Sequence, residues 1–383
     1  MNKVGINLLW MVPGTVGGSE TYITRLLQGL SERPSDLQYR LFALPQFERA
    51  HADLAGRFSI EYAPLSGQMK SFRVAGENTW LARRCRKEKI DLVHHGGGVV
   101  PLLGTKRPVL TIHDLQYLFY PEYFTRAKLA YLKAMMPRSA ETARMVLTPS
   151  EFTRRSVIER LNIDASVVQV VPHGISPRER RESTRDVTKH YGIKGPFFLY
   201  PAATYPHKNH LVLIEALHRL QSRHREAQLV LTGPRGSDVW AMGIEMQKRI
   251  AEEITKLGLE DSVKWLGFVP GEDLDALYRE AAGLVFPSRF EGFGAPVLEA
   301  MARGCPVIAA NATALPEVVE DAGRLISPDN VDQWTDAMDE LLTDDETRKS
   351  FMKAGVERAS LFTWEHAAGV LEDAYRHVLE TTL

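Results

Sequence analysis

The stretch "AGLVFPSRFEGFGAPVLEAMARGCPVIAAN", residues 282–311, decides the fold. It opens on a short apolar run, "GLVF", and closes on another, "CPVIAA", each the length of a buried strand. Between them "EGFGA" reads as a flexible turn and "PVLEAMARG" as a short helix, with Pro296 in its first turn and Gly304 just past its end. Strand, turn, helix and strand make the βαβ unit of a parallel sheet. Two carboxylates, Glu291 and Glu299, stand either side of the helix start, and what they do there is the functional question.

The same rhythm extends outward. "PFFLYPA", "AQLVLTG", "SVKWLGF" and "AGRLISP" are further strand-like runs, and most are followed by helical patterns such as "NHLVLIEALHRL", in which Leu213, Leu217 and Leu220 share a face. Upstream, "ISPRERRESTRDVTKHYGIKG" (175–195) is polar and charged and reads as a connection between domains. Before it, "VGINLLW", "DLVHHGG", "PVLTIHD", "ARMVLTPS" and "SVVQVVPHG" repeat the strand-and-helix alternation. "SETYITRLLQGLSE" follows the first of these, with Ser19 as its expected cap. The expectation is an α/β protein of two doubly wound, Rossmann-like domains, residues 1–178 and 179–363. A last helix, about 364–383 and capped by Thr363, is expected to pack back toward the first domain.

Composition agrees with this division. A chain of 383 residues, 44% hydrophobic and 25% charged, is too long for one ordinary core. It has no apolar run of about 18 residues, and "MNKVGINLLWMVPG" is too short in apolar residues for a signal peptide, so a cytoplasmic location is expected. The two cysteines, Cys85 and Cys305, lie far apart with no clustered partners, which supports neither a disulfide framework nor a structural zinc site. The net charge of −1 hides an asymmetry: residues 1–178 carry 24 Lys+Arg against 15 Asp+Glu, and the remainder 23 against 33. The basic half, with Arg83, Arg84, Arg86, Lys87 and Lys89 in one run, is expected to favour anionic surfaces or phosphorylated ligands. No nucleic-acid partner is expected.

The helix starting at Pro296 offers unpaired N–H groups and a positive dipole end to a phosphate, and Gly292 and Gly294 let the backbone approach it. Glu299, placed in the first turn, and Glu291, before it, could then accept hydrogen bonds from vicinal hydroxyls. A phosphate flanked by two hydroxyl-binding carboxylates suits a nucleotide-sugar; a dipole-complementing glutamate beside a solvated one is the plainer alternative. Lys208 follows "PFFLYPA" and precedes Asn209, an expected helix cap, which puts an ammonium at a βα turn where phosphates bind. His113 ends the run "TIHD" at the carboxyl edge of a strand, where open α/β sheets bind ligands. Gly17 and Gly18 lie in the first βα turn, open to donor phosphate or acceptor. Neither "GTVGGSE" nor "TGPRGSD" has the G-x-G-x-x-G spacing of a dinucleotide dehydrogenase. Asp273 and Asp275 in "EDLDALYREAA" read as a solvated helix face, and no metal site is expected.

"EGFGAPVLEA" resembles the Glu-x7-Glu motif of the retaining nucleotide-sugar glycosyltransferase family 4. The resemblance continues in order through "GTVGGSETY", "TIHDL", "PEYFT", "TPSEFTRRS", "VPHGI", "YPHKNH", "VKWLGFVP", "LPEVVEDAG" and "FTWEHAA". It implies the GT-B fold, two Rossmann-like domains facing each other across a cleft, and a hexose transfer that retains anomeric configuration without cofactor or metal. By the same resemblance Glu299 holds the ribose hydroxyls, Glu291 contacts the donor sugar, and backbone N–H groups around Phe293, Gly294 and Ala295 meet the donor. His113 corresponds to the family's active-site histidine, and Lys208 to its phosphate-binding lysine. Family members also carry an arginine about five residues before that lysine; here the position is Ala203, which leaves Lys208, and another cation such as Arg289, to neutralise the diphosphate. "HDLQYLFYPEYFT" is most similar to mannosyl-type members of polysaccharide assembly, so GDP-mannose is the expected donor. A glycan or lipid-linked saccharide is the expected acceptor, met at an anionic membrane surface by a peripheral protein at the inner face. A GT-B epimerase or hydrolase, or an inactive nucleotide-sugar binder, is the alternative.

Overall fold

The computed structural model describes residues 1–15, 17–104, 106–175, 185–234 and 241–381. The chain divides into two compact units, one formed by Met1–Gly174 with Phe362–Leu383 and the other by Ile175–Leu361. Residues 176–184 of the connecting stretch and 235–238 of "TGPRGSD" lie outside the described residues; within the connection Val187–Tyr191 is a helix capped by Asp186.

The first unit is built on a seven-stranded sheet of order β3-β2-β1-β4-β5-β6-β7. Its strands are β1 (Lys3–Asn7), β2 (Gln38–Ala43), β3 (Ser59–Tyr62), β4 (Leu92–His95), β5 (Pro108–Thr111), β6 (Met145–Thr148) and β7 (Val168–Val170), all paired in parallel. The second unit holds a six-stranded parallel sheet of order β10-β9-β8-β11-β12-β13. These are β8 (Phe197–Pro201), β9 (Gln228–Thr232), β10 (Val263–Gly267), β11 (Gly283–Phe286), β12 (Val307–Ala310) and β13 (Arg324–Ile326). Strands such as β4, β5, β11 and β12 are buried along their whole length, as two-sided strands covered by helices must be.

In each sheet the strand order reverses once, between β1 and β4 and between β8 and β11, and in doubly wound sheets ligands bind outside the carboxyl ends of strands at that point. The loops that leave β8 and β11 are therefore neighbours although their strands lie about 80 residues apart.

The helix Trp364–Glu380 completes the first unit's core: Ala367, Ala368, Leu371, Tyr375 and Val378 are buried with Val4, Ile6, Tyr22 and Leu26. It approaches the helix Gly18–Ser31 at Gly29, where a Cβ would stand 2.8 Å from both the Ala368 Cβ and the Trp364 carbonyl oxygen. Only glycine permits that contact. Thr363 caps the last helix by accepting the His366 N–H. Ser19 does not cap the first: Gly17 occupies the N-cap, with φ of 61° and ψ of −130°, and among the described residues no side chain caps that helix. Cys85 and Cys305 are buried free thiols. Among the described residues no helix is long and apolar enough to cross a membrane.

Candidate active site

The second unit brings Lys208 and Glu291 into direct contact. β8 runs into the 3-10 turn Pro206–Lys208, which is tied down where the Tyr200 hydroxyl donates to the Lys208 carbonyl at 2.5 Å. Asn209 holds a left-handed conformation at the next helix start, but its amide donates to the Pro328 carbonyl at 2.6 Å instead of capping. From the adjacent β11 the chain passes to Glu291, whose N–H donates to Thr313 Oγ1 at 3.0 Å. Lys208 Nζ then donates to Glu291 Oε1 at 2.5 Å, the two side chains being 18% and 13% exposed. The ammonium also lies 5.7 Å from the Phe286 ring centroid, a ring held edge-on by Tyr200.

Downstream of Glu291 the helix Ala295–Ala302 begins at Gly294 with Pro296 in its first turn. Gly294 has a φ of 101°, and a Cβ there would meet Leu315 Cδ2 at 2.5 Å. The N–H groups of Gly294 and Ala295 have no acceptor among the described residues, as the first N–H groups of a helix lack intrahelical partners. The helix ends in a Schellman arrangement: the Gly304 N–H donates to the Met301 carbonyl and the Cys305 N–H to that of Ala300, both at 3.0 Å. Phe293 is buried. Glu299 is the fifth residue of the helix and so lies in its second turn, not its first. Helical side chains slant toward the N-terminus, so this position still serves the helix start. Tyr278 donates its hydroxyl to Glu299 Oε2 at 3.3 Å, and burial first, then the Glu299 charge, hold that phenol well above its ordinary pKa.

One other expectation is corrected. Asp273 is fully buried, accepting from the Tyr191 hydroxyl at 2.8 Å, and Asp275 is ion-paired with Arg303, so neither belongs to a solvated face. Both charges fasten the helix Gly271–Glu280 to its surroundings. Arg289, on the loop after β11, is joined to the turn that carries Lys208, its N–H donating to the His207 carbonyl at 2.8 Å, and its guanidinium is engaged by Asp329. Among the described residues no group of three or more His, Cys, Asp or Glu side chains could hold a metal ion.

The first unit carries His113, Gly17 and Gly18. His113 follows β5 by two residues, and its Nε2 lies 3.0 Å from the Gly96 carbonyl oxygen. A carbonyl only accepts, so the proton is on Nε2 and Nδ1 presents a lone pair. Nδ1 has no hydrogen-bond partner among the described residues. Burial lowers the imidazole to about 4, against the opposing pull of the Gly96 carbonyl, so at neutral pH it is an uncharged hydrogen-bond acceptor. Trp10 and Tyr22 flank its ring. Around Gly17 and Gly18 there is open space, bordering a cavity of about 470 Å³ lined by Glu20, Thr21, Thr24 and His51 among others. Glu20 occupies this turn: it accepts from the Gly14 N–H at 2.8 Å and contacts His51 Nε2 at 2.9 Å. A carboxylate in that position suits hydroxyls better than a phosphate.

Sequence reasoning missed a buried network at the carboxyl edge of the same sheet. Asn7, which ends β1, donates from its amide to Glu77 Oε1 at 2.8 Å and pairs with His95 Nδ1 at 3.2 Å. Glu77 opens a π-helical segment, Glu77–Leu81, a local widening that in other helices often accompanies function. Burial pushes the Glu77 carboxyl up to about 7. Residues 7, 77 and 95 share no local pattern, so only the sheet order could have joined them.

Residues 16–179 match the family described as Glycosyltransferase Family 4, and residues 183–358 that described as Glycosyl transferases group 1. The chain is 33% identical to O-antigen chain mannosyltransferase B of Escherichia coli over 75% of its own length and 74% of that protein. It is 27% identical to O-antigen chain mannosyltransferase RfbU of Salmonella typhimurium over 68% and 67%. In fold it matches Anabaena HepE, solved in complex with UDP and glucose, at a TM-score of 0.76 and 20% identity, covering 98% of this chain and 100% of that one. The two Rossmann-like sheets, the family matches and these relatives agree: the chain belongs to glycosyltransferase family 4 and is a glycosyltransferase of the GT-B fold.

Proposed function

We propose that this glycosyltransferase moves mannose from GDP-mannose to a glycan or lipid-linked saccharide, with retention of anomeric configuration. The observation that carries the donor site is the contact of Lys208 with Glu291 beside a helix start at which the Gly294 and Ala295 N–H groups lack acceptors among the described residues. Lys208, with the N–H groups around Phe293, Gly294 and Ala295, takes the donor diphosphate, since developing negative charge on a leaving phosphate is best stabilised by fixed donors and a cation. Glu299 accepts from the ribose hydroxyls and Glu291 from those of the transferred sugar. The choice of mannose rests on the two O-antigen mannosyltransferases that the chain resembles.

In this reading the anomeric carbon's bond to the phosphate oxygen breaks as its bond to the acceptor oxygen forms on the same face. The acceptor's proton passes to the departing phosphate oxygen, so no protein nucleophile is required. His113, neutral and bearing its lone pair on Nδ1, accepts from a sugar hydroxyl and orients it. Positive charge comes from Lys208 and the helix start, with no cofactor or metal taking part. The acceptor is assigned to the first unit, where Gly17, next to Gly18, lines a polyol-compatible cavity. The excess of basic residues in the first half supports a cytoplasmic, peripheral protein that meets this acceptor at the anionic inner face of a membrane.

The test is a thermal-shift panel of GDP, UDP, dTDP and ADP and their sugars, because a ligand that binds only the folded state raises its melting temperature. GDP-mannose should give the largest shift, and NMR of the product should show the donor's anomeric configuration kept. A larger shift with UDP-glucose would reassign the donor. Donor consumption without acceptor would point to a hydrolase or epimerase, and tight binding without turnover to an inactive binder.

A further inference from the structure

The helix Lys70–Gly76 and the π-helical turn that continues it place Lys70, Arg73 and Glu77 at spacings of three and four residues, hence on one face. Lys70 Nζ lies 5.7 Å from the Tyr131 ring centroid. Tyr131 and Lys128 are themselves three residues apart on the helix Arg126–Thr142, and Lys128 Nζ lies 4.8 Å over Phe124. Arg73 donates from Nη1 to the Trp10 carbonyl at 2.6 Å, while its Nε is buried without a partner among the described residues. Lys70 makes no ion pair or hydrogen bond among the described residues and is open to solvent.

Lys70 thus lies close enough to both Arg73 and Lys128 for their charges to repel its own. Burial first, then the Arg73 charge, hold Lys70 below the usual lysine range, and burial followed by the Lys70 charge does the same to Lys128. The opposing carboxylates are Glu77 and Asp114. Glu77 is near half-protonated at neutral pH, so it offsets them incompletely. An arriving multivalent anion would relieve that repulsion.

Next to the cations stands exposed apolar surface. Met69 and Phe72, on either side of Lys70, are 55% and 59% exposed, and Leu102 and Leu103 are 57% and 60% exposed. The last two are held beside the π-helical turn, where Asn78 Oδ1 accepts both of their N–H groups at 2.7 and 3.2 Å. Exposed side chains of this size, grouped beside cations, fit a ligand that is anionic at one end and apolar at the other.

We propose that Lys70, Arg73 and Lys128 bind the phosphate or diphosphate group of a lipid-linked acceptor, whose apolar chain rests on Met69, Phe72, Leu102 and Leu103. The inference rests on the acceptor assignment made above and names its chemistry. Arg73 supplies a directional guanidinium and the two lysines supply point charges.

Calorimetry with inorganic pyrophosphate tests the site. It is run in a Lys208→Ala background so that the donor site contributes little, with and without Lys70→Gln/Lys128→Gln. The double substitution should weaken pyrophosphate by about tenfold or more, and Lys70→Arg/Lys128→Arg should restore it. Unchanged affinity overturns the proposal, as does failure of the arginine pair to restore binding when all variants melt alike. Flotation with phosphatidylglycerol vesicles, with phosphatidylcholine vesicles as control, separates the sources of the anion. Loss of flotation alongside the calorimetric loss assigns the site to bilayer headgroups as well, whereas calorimetric loss alone assigns it to the acceptor's own phosphate. With Lys208 intact, Lys70→Gln/Lys128→Gln should leave GDP affinity at the wild-type value. Absence of GDP binding by the wild-type protein would instead count against the donor-site reading.

Discussion

The contact between Lys208 and Glu291 makes a prediction of opposite sign for its two partners. The pair is largely buried and 2.5 Å apart. Unit charges 4 Å apart attract by about 4 kcal/mol at an effective dielectric of 20, but desolvation returns most of that. A net of about 1–3 kcal/mol then holds the ammonium on the carboxylate until a diphosphate competes for it. Lys208→Ala removes a charge-assisted contact worth about 1.5–3 kcal/mol to the phosphate, or about 10–150-fold in Kd. It also leaves Glu291 facing the phosphates without its cation, which pushes the loss toward the upper end. Glu291→Gln removes the competitor while sparing the cation. GDP affinity should hold or improve by up to about tenfold, while turnover falls because the sugar has lost its hydroxyl acceptor. Titration calorimetry with GDP, with guanosine as the phosphate-free control, reads both effects. Unchanged GDP affinity in Lys208→Ala would refute the phosphate role, and an equal loss in both variants would refute the competition.

The other predictions concern different parts of the molecule. Glu299→Ala should weaken GDP by about 1–3 kcal/mol, the scale of a hydrogen bond to a charged group, and an unchanged calorimetric affinity would remove Glu299 from the ribose. Glu77, raised to about 7, takes up protons in the folded state over a range where the unfolded chain has already lost them, so its contribution falls as pH rises from about 4.5 to 7. Glu77→Gln should therefore stabilise the protein by about 2–3 kcal/mol at pH 8 and by almost nothing at pH 4, as read by denaturant melts at both. The buried imidazoles act in the opposite direction. His94, His95 and His173 are lowered to about 3 and His113 to about 4, chiefly by burial, so stability should drain away as pH falls below about 6.5. His94 is held from both sides, by the Tyr375 hydroxyl and Thr111 Oγ1 at 2.7 Å each, and His94→Asn should flatten that acid limb. The Cys305 thiol, pushed up to about 12 by burial, should resist a thiol reagent until the protein unfolds.

The second sheet was legible because β8, β11 and β12 are uninterrupted apolar runs ended by turn residues, and β9, β10 and β13 each carry only one charged or amide side chain among apolar ones. β2 and β3 escaped notice for a physical reason: Arg40 and Glu61 sit inside them and break the apolar pattern, yet the two side chains pair across the strands at 3.1 Å. Lys208 and Glu291 could each be picked out locally, by a turn after a strand and by a glycine-flanked helix start. Their contact depended on which strands are neighbours at the reversal of strand order, and that is a long-range property. Asp273 was misjudged for a similar reason. Its helical position is readable, whereas the Tyr191 hydroxyl that makes its burial tolerable arrives from 82 residues away. The cation group at Lys70, Arg73 and Lys128 joins two helices about 55 residues apart, and neither helix alone distinguishes it from an ordinary solvated face.

The last helix has a consequence for how the protein forms during synthesis. The second unit is one continuous segment, Ile175–Leu361, and all of it is synthesised, and emerges from the ribosome, ahead of the first unit's final element. Until Trp364–Glu380 emerges, Tyr22, Leu26 and the buried ring of His94 lack the side chains that cover them, Leu371 and Tyr375 among these. The N-terminal portion must therefore wait, partly open, while later residues complete their own core, which reverses the usual order in which domains mature along a nascent chain. A truncation at residue 361 should consequently harm the unit farther from the cut in sequence, and co-expression of the missing helix as a separate peptide should rescue it.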